Sequence, residues 1–239
     1  MVRRLPNVKK LIPRTLVSPL RILVTIASPS DAPYLEVGRE RATLEESLAT
    51  AVKNAQVKLE FLEHATKSKL QQALRVFKPH LFHFIGHGVF QRDETVPQRI
   101  HEQGALVFEN EEGKTDPLAG AALKTMMGVD SSISVAILNS CETGTTGLED
   151  AISGVAQILV GTGTPAVIAT MRSILDQTAL MFTREFYRSF IDGYTLEASV
   201  IEARKNLSIN KGDWPAYALF VGTTELDDFR LVPSQRGNE

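Results

Sequence analysis

A mostly parallel α/β sheet with helical crossovers is the fold class that this sequence predicts. Short apolar, β-branched runs alternate with longer segments whose apolar residues recur at helical spacing, and clusters of Gly, Pro, Asp and Ser separate the two kinds of segment. Strands that alternate with helices must be joined by crossovers, which places them side by side in a largely parallel sheet.

The elements follow in order. Residues 21–28 read as the first strand, closed by Pro29-Ser30-Asp31-Ala32-Pro33, and residues 37–56 as a helix with Leu44, Leu48, Ala51 and Val52 at helical spacing. Residues 57–62 make a second strand, 67–77 a second helix, and 80–86 a third strand entered through Lys78-Pro79. The polar stretch 89–104, which contains Pro97, is expected to be a surface loop near the carboxyl edge of the sheet. Residues 105–108 and the turn at Glu112-Gly113 read as a small hairpin with a helix over 118–127 behind it. A core strand over 134–139, a helix near 148–160 and a strand over 166–171 restore the pattern. Helices over 176–191 and 196–209, separated by Asp192-Gly193-Tyr194, and a buried strand over 216–222 complete it. With no internal repeat, one domain over 19–224 is expected, between a flexible lead or linker (1–18) and a tail (225–239).

Bulk composition fits a soluble globular chain. Its 239 residues are 43% hydrophobic and 23% charged, enough for an ample core. The 26 basic and 28 acidic residues leave a formal charge of -2, which gives no electrostatic footprint for nucleic acid. No run approaches the ~20 apolar residues that span a bilayer. The lead is basic, with Arg3, Arg4, Lys9, Lys10 and Arg14, but Pro6 and Pro13 interrupt any amphipathic presequence helix. A secretory signal is the rival reading, because these residues precede the apolar run 22–27; that run is short and serves a core strand equally well.

One cysteine, Cys141, occurs in the chain, so neither an internal disulfide nor a structural zinc site is expected, and an intracellular, cytoplasmic setting fits best. It follows the strand 134–139, as His87 follows the strand 80–86. A thiolate is a strong nucleophile that needs a base to form near neutral pH, and in open parallel sheets reactive groups lie beyond the carboxyl ends of strands. Cys141 and His87 therefore read as a nucleophile and base pair, a cysteine peptidase dyad.

Three phrases carry a resemblance: His83-Phe84-Ile85-Gly86-His87-Gly88, Leu138-Asn139-Ser140-Cys141-Glu142-Thr143-Gly144, and Gly163-Thr164-Pro165-Ala166-Val167-Ile168-Ala169-Thr170. Together they resemble the CHAT family of caspase-like, separase-related cysteine peptidases, and Trp214-Pro215-Ala216-Tyr217-Ala218-Leu219-Phe220-Val221-Gly222 looks like that family's closing element. The resemblance implies a caspase-like three-layer sandwich, with a mostly parallel central sheet flanked by helices. It implies His87 as catalytic histidine, Cys141 as nucleophile, and the backbone N–H groups of Gly88 and Cys141 as an oxyanion hole; glycine at 88 would permit close approach and unusual dihedrals. Asp31, Glu142 and Asp176 are the acids it offers to the pocket for the residue before the cleaved bond, which would favour Lys or Arg. It implies a protein substrate, no metal or organic cofactor, and a regulatory sensor or helical-repeat partner in a defence or cell-death setting.

Other readings stay beside it. A catalytically silent scaffold of the same fold would keep the elements and bind partners. A nucleotide-binding or sensory domain lacks a fingerprint, since Gly161-Thr162-Gly163-Thr164 has no Gly-Lys-Ser/Thr ending and reads as a turn. His83, four residues before His87 on the same strand face, reads as a hydrogen-bonded core or pocket-lining histidine, because no third and fourth metal ligand accompany the pair.

Overall fold

Strands that are apolar on both faces need cover on both faces, and that requirement sets the layers of this protein. The computed structural model describes residues 2–4, 16–92, 102–128, 132–140, 148–172, 174–222 and 229–232. Along the chain these form β1 (Val2–Arg4), β2 (Leu16–Val17), β3 (Leu20–Ile26), α1 (Val37–Lys53), β4 (Val57–Leu62), α2 (Lys67–Phe77), β5 (Leu81–Arg92), β6 (Glu102–Glu109), β7 (Thr115–Ala119), α3 (Gly120–Met127), β8 (Val135–Ser140), α4 (Leu148–Gly161), β9 (Ala166–Thr170), α5 (Asp176–Ile191), α6 (Leu196–Ile209), β10 (Tyr217–Val221) and β11 (Leu231–Val232). The main sheet runs β1-β10-β9-β8-β5-β3-β4. Strands β4, β3, β5, β8 and β9 are mutually parallel, while β10 is antiparallel to β9.

Alternate strand residues feed two separate cores. Ile22, Val24, Leu81, Ile85, Val135, Ile137 and Ile168 pack under α1, α5 and α6, where Phe182, Phe186 and Phe190 supply bulk. Leu23, Phe82, Phe84, Ala136, Leu138 and Val167 pack on the other side under α2, α3 and α4. The result is the mostly parallel α/β sheet that the sequence pattern predicts, in the three layers that the family resemblance implies. Local chemistry starts the helices where packing needs them: Thr66 Oγ1 accepts from Lys69 N at 3.2 Å before α2, and Thr195 Oγ1 accepts from Ala198 N at 3.2 Å before α6.

Several boundaries differ from the sequence reading. Both ends of the loop expected over 89–104 are strand, because β5 continues to Arg92 and pairs antiparallel with β6, which starts at Glu102; residues 93–101 lie outside the described residues. Polar residues on an edge ladder hide this pairing from a search for apolar alternation. Leu118 and Ala119 end β7 (Thr115–Ala119) rather than opening the helix expected over 118–127, so α3 begins at Gly120. Pro117 is tolerated there because β7 pairs only with β6. The lead, read as flexible, contributes β1 as a parallel edge strand on β10 and β2 as the partner of β11 from the tail. Two- and three-residue strands have no period of their own and exist only through their distant partners.

At the junction of β6 with α4 the two backbones approach closely. A Cβ at Gly104 would overlap the carbonyl oxygen of Ala151 and lie 3.1 Å from the backbone nitrogen of Val155. Backbone cannot yield as a flexible side chain can, so Gly104→Ala is expected to lower the unfolding free energy by about 1–3 kcal/mol or more. Urea denaturation of the variant against the wild type checks this.

Candidate active site

The site grows from the carboxyl end of β8 and from the middle of β5: His87 does not follow the strand, as the sequence reading has it, but lies within β5 where parallel pairing with β8 ends at Gly86 and antiparallel pairing with β6 begins. These neighbours are parallel, with Ile85 opposite Asn139 and Gly86 opposite Ser140. His83, Ile85 and His87 alternate along β5 onto the face covered by α1 and α5, and Asn139 takes the same face of β8 after Val135 and Ile137. Cys141 and Glu142 follow Ser140 in sequence and lie outside the described residues.

His87 is 3% exposed. Its Nε2 lies 2.9 Å from the carbonyl oxygen of Pro33, in the loop between β3 and α1. A carbonyl can only accept, so this bond assigns the proton to Nε2 and leaves the lone pair on Nδ1. Nδ1 is buried and has no hydrogen-bond partner among the described residues. Burial lowers the pKa of the ring from its ordinary 6.5, and the bond to Pro33 opposes that shift. The neutral ring is thus fixed in the tautomer that can take a proton at Nδ1.

Beneath it lies a polar cluster inside the apolar core. The Asn139 amide donates to Glu40 Oε1 at 2.8 Å and to His83 Nε2 at 3.1 Å, with Thr183 Oγ1 at 3.3 Å. Its carbonyl accepts from the Tyr217 hydroxyl at 3.1 Å. Because His83 Nε2 accepts, its Nδ1–H donates to Tyr187 Oη at 2.9 Å. Burial pushes His83 down to about 3, so it stays neutral, and raises Tyr187 well above its ordinary value. Glu40, 4% exposed, is pushed up to about 7 by burial, with the Asn139 bond lowering it and the charge of Asp176 raising it. His83 is therefore the hydrogen-bonded core histidine that the sequence predicts. Glu40 went unread, although it shares the i, i+4, i+8 stripe with Leu44 and Leu48, where an acid signals a buried carboxyl.

The remaining predicted residues fall in different places. Gly88 is buried on β5, and a Cβ there would lie 2.5 Å from Ile152 Cδ1. Its φ is not among the positive values that Gly113, Gly128, Gly163 and Gly193 adopt, so the unusual dihedral expected at 88 is not present, and α4 packs closely on it through Ile152. Asp31 is exposed in the Pro33 loop, with Oδ1 accepting from Thr115 N at 2.8 Å and Oδ2 from Thr115 Oγ1 at 3.3 Å. Asp176 opens α5, half-buried and close enough to Glu40 to raise its pKa. Among the described residues no group of three or more His, Cys, Asp or Glu side chains could hold a metal ion, and no helix is long and apolar enough to cross a membrane.

Fold and site together define an α/β protein that gathers buried polar groups at the carboxyl edge of its parallel strands, around a histidine where β5 passes from β8 to β6. The family model of the CHAT domain matches residues 5–221, and the chain belongs to the CHAT domain family. No curated protein matches it in sequence. Among solved structures it is similar to a chain of the Saccharomyces cerevisiae separase–securin complex, with a TM-score of 0.54 and 12% identity over 91% of this chain and 12% of that one. It is also similar to protein GSU0716 from Geobacter sulfurreducens (TM-score 0.48, 13% identity, 88% of this chain and 96% of that one). The Drosophila initiator caspase Dronc is a further match (TM-score 0.48, 13% identity, 97% and 94%). The chain spans 12% of the matched chain in the separase complex, and the likeness is one of fold.

Glu40 gives the site a measurable pH signature. The folded protein holds its proton to about pH 7, whereas the unfolded chain releases it near 4.5. Stability from the neutral carboxyl is thus fully present below pH 4.5 and is lost as pH rises to about 7, a change of about 3 kcal/mol at ~1.4 kcal/mol per pH unit. Glu40→Gln cannot titrate. Its unfolding free energy relative to wild type is expected to climb across that window and level off above it, as urea titrations at a series of pH values would show; a constant difference contradicts the buried neutral carboxyl.

Proposed function

We propose that this protein is a cysteine endopeptidase in which Cys141 is the nucleophile and His87 its base. The observation that carries this reading is the state of His87: Nε2–H is bound to Pro33 O, while Nδ1 keeps a buried, unpartnered lone pair among the described residues. A core histidine normally satisfies both nitrogens, as His83 does. The register supports the pairing with Cys141, since Gly86 and Ser140, the residues immediately before the two, are partners across β5 and β8.

The chemistry then follows from these groups. Nδ1 of His87 takes the thiol proton, and the Pro33 carbonyl steadies the imidazolium that forms. The thiolate attacks the peptide carbonyl, and the N–H groups of Gly88 and Cys141 hold the oxyanion. His87 returns its proton to the leaving amine, and water hydrolyses the acyl-enzyme through the same base. No step calls for a cofactor. Asp176 and Glu142 supply negative charge for a substrate Lys or Arg before the cut bond, while Asp31 has Thr115 as its partner. A reactive thiolate suits a reducing, cytoplasmic setting. Family resemblance supports a protein substrate and control by a sensor or helical-repeat partner in defence or cell death.

The test is incubation of the purified protein with a proteome-derived peptide library, reading new amino termini by mass spectrometry. Wild type is expected to generate cuts, enriched after Lys or Arg, that Cys141→Ala and His87→Ala each reduce by at least ~10³-fold, the scale of losing a nucleophile or its base. Equal cutting by wild type and Cys141→Ala would remove the peptidase reading. Absence of cuts with every partner supplied would favour a binding scaffold of the same fold.

A further inference from the structure

Among the described residues the His87 ring makes one hydrogen bond, to a carbonyl in an irregular loop. That loop, residues 27–36, has little internal order: Ala32 N donates to Pro29 O at 3.1 Å, and Pro33 itself is exposed. Something outside the loop must therefore fix the carbonyl if it is to fix the ring.

The β6–β7 hairpin does this. Ser28 N donates to Glu109 Oε1 at 2.9 Å. Ser30 N and Ser30 Oγ both donate to Gly113 O, at 2.9 and 3.0 Å. Thr115 N and Oγ1 donate to the two oxygens of Asp31. The hairpin turn is itself tied, with Asn110 Oδ1 accepting from Glu112 N and Lys114 N at 2.9 Å and Gly113 N donating to Asn110 O at 3.0 Å. Glu109 is buried, its backbone N–H bound to Ala65 O at 2.9 Å and its Oε2 lying 3.2 Å from His64 Nδ1. Strand β6 also pairs with β5 across the histidine, Val107 opposite His87. One element thus holds the backbone of His87 through β6 and its ring through the loop.

We propose that the β6–β7 hairpin is a clamp that orients His87, with Asp31 and Glu109 as its positioning residues. The proposal rests on the reading of His87 as the base and assigns Asp31 to the clamp instead of the substrate pocket. Neither carboxylate hydrogen-bonds the His87 ring, whose one partner among the described residues is the Pro33 carbonyl. Asp31 has both oxygens bound to Thr115 and Glu109 has Oε1 bound to Ser28 N, bonds that set the path of the Pro33 loop, so their effect on chemistry runs through the angle of one imidazole.

Asp31→Ala removes both bonds to Thr115, whereas Asp31→Asn keeps an oxygen for Thr115 N and offers an amide to a hydroxyl that can accept it. Glu109→Leu and Glu109→Gln make the same contrast at Ser28. Nitrogen-15 spectroscopy of the histidine rings, with His87 assigned from His87→Ala, reads the tautomer without any need for turnover; peptide cleavage reads kcat and KM. Wild type, Asp31→Asn and Glu109→Gln are expected to show His87 as the single Nε2–H tautomer. Asp31→Ala and Glu109→Leu are expected to show mixed tautomers and a kcat lower by roughly 10- to 100-fold, with KM within about twofold and side-chain preference unchanged. Asp31 is exposed, so its variants stay informative even if Glu109→Leu does not fold. A folded Asp31→Ala with the wild-type tautomer and kcat overturns the clamp, and so does loss of basic preference in Asp31→Asn. Should the tautomer respond as expected while no form cleaves peptides, the clamp stands and the peptidase reading falls.

Discussion

Parallel pairing of β5 with β8 in one register is the constraint on which the site depends. Side chains alternate faces with a period of two, so a slip of one residue would send either His83 and Ile85 of β5 or Asn139 of β8 to the α2, α3 and α4 side and break the polar cluster. Packing resists the slip. Phe82, Phe84, Ala136 and Leu138 are fully buried under one layer of helices while Leu81, Ile85, Val135 and Ile137 fill the other. A strand buried on both faces has no solvent side to tolerate a misplaced residue. The two apolar cores thereby fix where the polar ends of β5 and β8 emerge.

Next to those cores sits a polar cluster that is expensive to bury unless every member finds a partner. Asn139 is its hub, using its amide on Glu40 and His83 and its carbonyl on Tyr217. These partners come from α1, β5 and β10, and Thr183 and Tyr187 from α5 add two more. Stacking of Tyr217 on Phe182, with ring centroids 3.6 Å apart, seats the tyrosine that Asn139 needs. The cluster therefore ties the helix layer to the end of β8, two residues before Cys141. Order at the site comes from two sources, this cluster below and the hairpin-held Pro33 loop above.

The order of strands and helices in the core was legible because long apolar periods state it directly. What escaped were features whose cause is distant in sequence. Strands β1, β2 and β11 are too short for a period, and they form because β10 and each other offer unpaired edges. The outer parts of β5 and β6 are polar, so they read as loop. At Gly88 the unusual dihedral expected from sequence is absent, and the Ile152 side chain packs against it instead. Asp31 is the instructive case: an acid in the loop after the first strand suits a substrate pocket, and only the fold shows Thr115, 84 residues away, engaging both its oxygens.

The central claim is that His87 draws the proton from Cys141, and the chain's single cysteine makes this directly measurable. Alkylation of Cys141 by iodoacetamide should be followed by mass spectrometry from pH 5 to 10, in wild type and in His87→Ala. The account predicts a wild-type thiol that reacts well below the ordinary thiol pKa of about 8.5, and a variant whose reactivity returns to that value. Superimposable pH profiles for the two proteins would contradict it.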